Sequence, residues 1–210
     1  MNTEKNFLIT LNREMGSGGR TVGRILSEKL GVRHYDKAVL EGLISHFHLT
    51  MEEIERIKAR RQNWWTELCQ AVVPAPAFDY KHVHPGEITT SEIFSIESKI
   101  LRDIAYTESC VITGRAGFFI LKDHPNMISV FIRASEDNRV ARICGRQPVT
   151  RDEAVTLIRK VDKDRETYTK YYAGRSRYDA RNYDLVLNMD HLTEDDAADC
   201  IINYIRKSGK

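Results

Sequence analysis

Residues Phe7 to Gly31, FLITLNREMGSGGRTVGRILSEKLG, limit what this chain can fold into more than any other stretch. The apolar run from Phe7 to Leu11 is short enough for a buried strand. A glycine-rich turn follows, Gly16-Ser17-Gly18-Gly19-Arg20. Val22, Ile25, Leu26 and Leu30 then fall on one face at helical spacing, and Gly31 closes the helix. Strand, glycine turn and helix in that order are the setting a phosphate-binding loop needs. Glycines let backbone N–H groups point at an anion, and the helix N-terminus adds partial positive charge. The plainer alternative is a tight strand-to-helix turn with spare glycines.

The usual pattern for such a loop is G-x-x-x-x-G-K-[ST]. With Gly18 as its second glycine, Arg13 occupies the first glycine's place and Gly19 the lysine's. With Gly19 as the second, Glu14 occupies the first place, Arg20 the lysine's and Thr21 the hydroxyl's. Neither alignment has a lysine. Arg20 is the natural stand-in, because a guanidinium also binds phosphate oxygens, though with different reach and geometry.

The rest of the chain alternates between strands and helices. Val32 to Asp36 reads as a second strand, and Ala38 to Phe47 as a helix. Thr50 to Glu53 reads as a capping box opening another helix, which turns basic at Lys58 to Arg61 and aromatic at Trp64-Trp65. Breakers make 74–86 a loop, where His82 and His84 are poor material for a metal site. Ser91 reads as the cap of a helix whose apolar face runs from Ile93 to Ile104, and Cys110 to Thr113 as a central strand ending at Gly114-Arg115. Met127 to Ile132 predicts a buried strand ending at Arg133. Ser135 begins a helix with Glu136 and Asp137 in its first turn, which suits the helix dipole. Thr150 to Glu153 is a second capping box, opening a helix that runs to about Tyr171. Tyr183 to Leu187 is the last strand, and Thr193 caps a final helix. The alternation predicts an α/β fold of three layers, α/β/α, around a parallel central sheet. Ligands of such sheets bind at the carboxyl ends of the strands, where Arg13 to Thr21, Asp36, Gly114-Arg115 and Arg133 fall.

The 210 residues suffice for one such domain. With 32 basic and 30 acidic residues, net charge does not point to nucleic acid, and no run has the length of a membrane span. The first residues hold too little apolar length before Arg13 for a signal peptide. Cys69, Cys110, Cys144 and Cys200 lack C-x-x-C spacing, which fits free thiols in a reducing, cytoplasmic setting.

Phosphoryl transfer asks for positioned cations and excluded water more than for covalent chemistry. Arg20 sits on the glycine turn and Arg115 after a strand. Arg139, Arg142 and Arg146 recur at helical spacing on one face with no acid among them. Arg159 and Arg165 flank Asp162 and Asp164. The plainer reading of 139–165 is a solvated, salt-bridged helical hairpin.

REMGSGGRTVGRILSEKLG followed by HYDK resembles the cytidylate kinase-like family, within the P-loop nucleoside monophosphate kinases. The resemblance runs from about Phe7 to Ile205. It implies one P-loop kinase-like domain over 1–210. The core would span about 5–48, 88–135 and 182–207, with an acceptor-side helical insert at about 49–87 and a helical lid at about 136–181. ATP and Mg²⁺ are the implied cofactors, with ATP phosphates on Gly16, Ser17, Gly18, Gly19, Arg20 and Thr21, and Thr21 or Ser17 as the hydroxyl on the metal. VITGR resembles the family's strand whose arginine binds the acceptor phosphate, which assigns that role to Arg115. Ala116 follows where cytidylate kinases have aspartate. YDK resembles the acceptor-pocket segment and brings in Asp36. FIRASEDNRVAR and LIRKVDKDR resemble the lid's entry and exit. They imply transfer chemistry for Arg142, Arg159, Asp162 and Arg165 and a phosphate contact for Arg139; position on the glycine turn adds Arg20 to the first group, and helical spacing adds Arg146 to the second. Asn188 to Asp190 fall near where the donor base would lie. The implied activity is ATP-dependent phosphoryl transfer to a nucleoside monophosphate or related acceptor. The competing expectation is a non-catalytic nucleotide binder. The partners implied are small-molecule nucleotides, with no membrane and no nucleic acid. Lys58 to Arg61 with Trp64-Trp65 offers either a stacking groove or a homodimer contact.

Overall fold

The computed structural model describes residues 6–36 and 90–208. The helices expected after Ala38 and Thr50, the Trp64-Trp65 pair, His82, His84 and the whole 49–87 insert lie outside the described residues.

Five strands form one sheet: β1 Leu8–Arg13, β2 Arg33–Asp36, β3 Cys110–Thr113, β4 Met127–Arg133 and β5 Leu185–Asn188. Their order is β2-β3-β1-β4-β5 and every pairing is parallel. A parallel sheet is buried on both faces, so its strands read as apolar runs rather than alternations. β1 shows this: Leu8 faces one cluster, with Ile100, Leu101, Ile104 and Ile112, while Ile9 and Leu11 face another, with Val22, Leu26, Val130 and Ile201. Helix α1, Gly19–Leu30, and the last helix, α6, Glu194–Ser208, supply the second cluster. Helix α2, Thr90–Thr107, supplies the first. The sheet therefore lies between helical layers, as expected.

Local signals explain where the helices begin and end. Gly31 closes α1 in the left-handed region, φ 66°, with its N–H on the last turn. Ser135 caps α4, Glu136–Cys144, by accepting from the Asn138 N–H. Thr150 and Glu153 form the full reciprocal capping box of α5, Arg151–Ala173. Thr193 and Asp196 make the equivalent exchange at α6. α4 and α5 pack through Val140, Ile143, Ala154 and Ile158, and Met15 from the glycine loop rests on that small core.

Some boundaries differ from expectation. β1 continues to Arg13 because Asn12 and Arg13 pair with Phe131 and Ile132. β5 begins two residues late, since the Asp184 carboxylate accepts from the Ser129 N–H and the Tyr183 hydroxyl donates to the Arg177 carbonyl. A four-residue helix, α3, Gly117–Ile120, was not foreseen.

Candidate active site

Parallel pairing brings the carboxyl ends of β1, β2 and β3 to one edge of the sheet, and Glu14 to Gly18 form the loop leaving β1 there. Gly16 and Gly18 both sit in the left-handed region, at φ 82° and 85°. Gly16 is required twice over. A Cβ there would also lie 2.8 Å from the Arg139 carbonyl oxygen. The Ser17 hydroxyl donates to the Glu14 carbonyl at 2.9 Å, and the Met15 N–H donates to Asp162 at 2.9 Å. Helix α1 then starts with no side-chain cap and no acid in its first turn. The caps at α4, α5 and α6 make that bare N-terminus distinctive, and its N–H groups and dipole suit an anion.

Loop, α1 and the α4–α5 hairpin surround a cavity of about 480 Å³, lined by five arginines (Arg13, Arg20, Arg142, Arg146 and Arg165) against two carboxylates, Glu14 and Asp36. Arg20 Nε lies 2.6 Å from Asp36, which is buried. Arg142 pairs with Glu194 of α6, and Arg146 reaches the same carboxylate at 3.4 Å. Burial, then the neighbouring charges of Arg165 and Arg177, pull the Arg13 pKa down to about 9, which still leaves a cation at neutral pH.

Asp162 is the hub joining the α4–α5 hairpin to the glycine loop. It accepts from Met15 N–H and, at 2.7 Å, from Arg139 Nη1, and it lies 3.5 Å from both Arg165 and Arg177. Arg177 has a fully buried side chain, donates to the Arg13 carbonyl and stacks over Phe131 and Tyr178. A buried cation needs such partners, because its desolvation is costly.

The turn after β3 is strained. Gly114, Arg115 and Ala116 are successively left-handed, at φ 88°, 56° and 51°, and each non-glycine residue there costs on the order of 1 kcal/mol. The turn aims Arg115 at Glu97 of α2, 2.9 Å away and 1% exposed, while the Tyr168 hydroxyl donates to the other Glu97 oxygen at 3.4 Å.

Of the residues singled out from sequence, Gly16, Gly18, Gly19, Arg20, Thr21, Asp36, Arg142, Arg146 and Arg165 line the cavity. Arg139 and Asp162 lie behind it. Ser17 is fully buried and braces the loop, so Thr21 is the hydroxyl facing the cavity. Arg159 does not join them. It is 70% exposed and reaches only Glu136, at 3.4 Å. Asp190 turns to the N-terminus of α4, accepting from the Ser135 N–H and from the Asn138 amide. Sequence reasoning missed Arg177 and Glu97, whose neighbours are distant in the chain. It placed Arg13 at the carboxyl end of a strand but gave it no phosphate role.

A family model described as the cytidylate kinase-like family matches residues 8–191. The chain belongs to the cytidylate kinase-like family. Cytidylate kinases of Sulfolobus acidocaldarius and Sulfurisphaera tokodaii are each 26% identical over 204 residues, covering 95% of this chain and 94% and 95% of theirs. An S-adenosylmethionine-dependent nucleotide dehydratase of Lacinutrix mariniflava is also 26% identical, and the match takes up 36% of its length. Among solved structures, an uncharacterized protein of Eubacterium ventriosum aligns with TM-score 0.70 and 26% identity over 96% of this chain and 99% of its own. Shikimate kinase of Acinetobacter baumannii, in complex with shikimate, aligns with TM-score 0.52 at 15% identity over 98% and 96% of the two chains, a likeness of fold. The glycine loop, the Gly-Arg turn and the arginine-bearing hairpin all fall inside the stretch matched by the family model.

Proposed function

We propose that this protein transfers a phosphoryl group from ATP to a nucleoside monophosphate, cytidylate-like, or to a related small phosphate acceptor. The observation that carries the reading is the cavity at the end of the central strand. It joins a glycine loop, an uncapped helix N-terminus and five arginines. The fit to a polyphosphate is chemical. The loop glycines leave room for close approach, and the lining cations outnumber the acids. Among the described residues no cluster of His, Cys, Asp or Glu could hold a metal by itself. Mg²⁺ would enter on the nucleotide phosphates beside the Thr21 hydroxyl and supply charge neutralisation there.

The chain's own residues would then divide the work. The loop and α1 hold the donor phosphates. Arg115 holds the acceptor phosphate once Glu97 yields it. Arg142 and Arg165 of the α4–α5 hairpin face the transferring group and, with the hairpin closed, exclude water so that transfer outruns hydrolysis. A phosphate acceptor is already an anion, so no general base is required.

The test is a transfer assay with Mg·ATP against a panel of nucleoside monophosphates and small phosphorylatable metabolites. Transfer to one acceptor is expected, with Arg115→Ala raising the KM for that acceptor far more than the KM for ATP. Equal losses for both would remove Arg115 from the acceptor site. One observation favours a second reading, a non-catalytic nucleotide binder: Arg20, Arg115 and Arg142 each already hold a carboxylate. ATP binding without turnover on any acceptor would support it.

A further inference from the structure

Among the described residues, Arg13 is the one cavity arginine whose guanidinium has no hydrogen-bond acceptor or ion-pair partner. Arg20 holds Asp36, Arg142 and Arg146 hold Glu194, and Arg165 holds Asp162 and the Arg13 carbonyl. Asp36 is within electrostatic reach of Arg13 but is engaged at 2.6 Å by Arg20. The Arg13 side chain also runs through a slot made by two glycines. A Cβ at Gly19 would lie 2.6 Å from Arg13 Cβ and 2.9 Å from its Cγ, and a Cβ at Gly114 would collide with Arg13 Nη1. Position 19 is the lysine's place when Gly18 is taken as the second glycine. The missing lysine and the arginine at 13 are therefore one structural fact, because any side chain at 19 would displace Arg13. Arg20, the other stand-in, has a side chain 66% exposed and turned to Asp36.

We propose that Arg13, rather than Arg20, is the cation that grips phosphate oxygens in this cavity, from a slot between the donor loop at Gly19 and the acceptor turn at Gly114. The inference rests on the phosphate-site reading above and names the residue that replaces the lysine. Holding a guanidinium beside Arg165 and Arg177, with the nearest carboxylate, Asp36, already engaged by Arg20, is costly, and a phosphate oxygen in the cavity offsets that cost. A residue held this way stabilises the complex at the expense of the empty protein.

The full chain would be titrated calorimetrically with inorganic tripolyphosphate, as wild type, Arg13→Met, Arg13→Lys and Arg20→Met. Unfolding temperatures without ligand would be recorded beside the titrations. Wild type is expected to bind. Arg13→Met should weaken binding by about 10- to 100-fold, the range for a lost hydrogen bond to a charged group. Arg20→Met should lose less, and Arg13→Lys should recover part of the loss. Ligand-free Arg13→Met should unfold at the same or a higher temperature. No binding by wild type, an unweakened Arg13→Met, or an equal or larger loss in Arg20→Met would each overturn the proposal. So would a lower unfolding temperature or loss of fold in Arg13→Met, since a structural post behaves that way. Tripolyphosphate binding with these rankings but no phosphoryl transfer would sink the kinase reading and leave Arg13 in its role. Transfer undiminished in Arg13→Met would do the reverse.

Discussion

Asp162 and Arg159 lie three residues apart on one helix and show how little a charge means until its surroundings are known. Asp162 is buried under Arg139, Arg165 and Arg177 and holds the Met15 N–H. Asp162→Asn would leave buried guanidinium groups without their carboxylate, and a loss of about 3–5 kcal/mol is expected in denaturant unfolding. Arg159→Ala breaks a solvent-exposed pair with Glu136 and should stay within about 0.5 kcal/mol of wild type. The spacing of arginines and aspartates in 139–165 was visible in the sequence, and most of it does turn to the glycine loop. Which member faces water was not visible, because the partners Glu14 and Glu194 come from other elements. A second residue-scale prediction concerns acid. Burial lowers the pKa of His34, whose ring meets the Thr113 hydroxyl at 2.8 Å, from 6.5 to about 4. Between those values the unfolded chain binds a proton that the folded chain does not. Stability should therefore fall as pH drops from 6.5 to 4, by up to about 1.4 kcal/mol per pH unit from this group. Urea unfolding across that range should show the acid limb, and His34→Gln should flatten it.

Elements were legible where the chain carries its own punctuation. β3, β4, α1 and α5 appear within two residues of where apolar periodicity, a hydroxyl cap or a closing glycine put them. β5 was misjudged at its start because Tyr183 and Asp184 look like strand residues but are spent on Arg177 and Ser129. α3 escaped because four residues carry no period, and its entry depends on the left-handed turn at Arg115 and Ala116. Capping also bears on the local stability of the α4–α5 hairpin. Thr150 caps α5 at an exposed position, so Thr150→Ala should cost about 1 kcal/mol. Amide hydrogen exchange should then quicken in the first turn of α5 while β1 and β4 keep wild-type protection. Equal quickening in the strands would mean that the hairpin opens only with the whole protein.

At the scale of the molecule, alternation of strands and helices announced a parallel sheet but not the order β2-β3-β1-β4-β5, since sequence separation says nothing about which strand lies in the middle. That order is what makes the site. With β1 central, the loop at Glu14 to Gly18 lies next to the ends of β3 and β4, and the α4–α5 hairpin that follows β4 packs against Met15 of that loop. The cations are thus contributed by β1, α1, the α4 region and α5, and by the buried Arg177 behind them. An anion bound among them would relieve their mutual repulsion. Saturating ATP should therefore act on a bounded part of the chain. At about 100 times its Kd, global stability should rise by about 2.7 kcal/mol. The protection gained in hydrogen exchange should concentrate in residues 14–21 and 139–165, with β2 changing little. Because several of these cations are part-exposed, raising ionic strength should weaken ATP binding. A binding constant indifferent to salt, or protection gained evenly along the sheet, would mean that nucleotide is held somewhere other than this arginine-lined cavity.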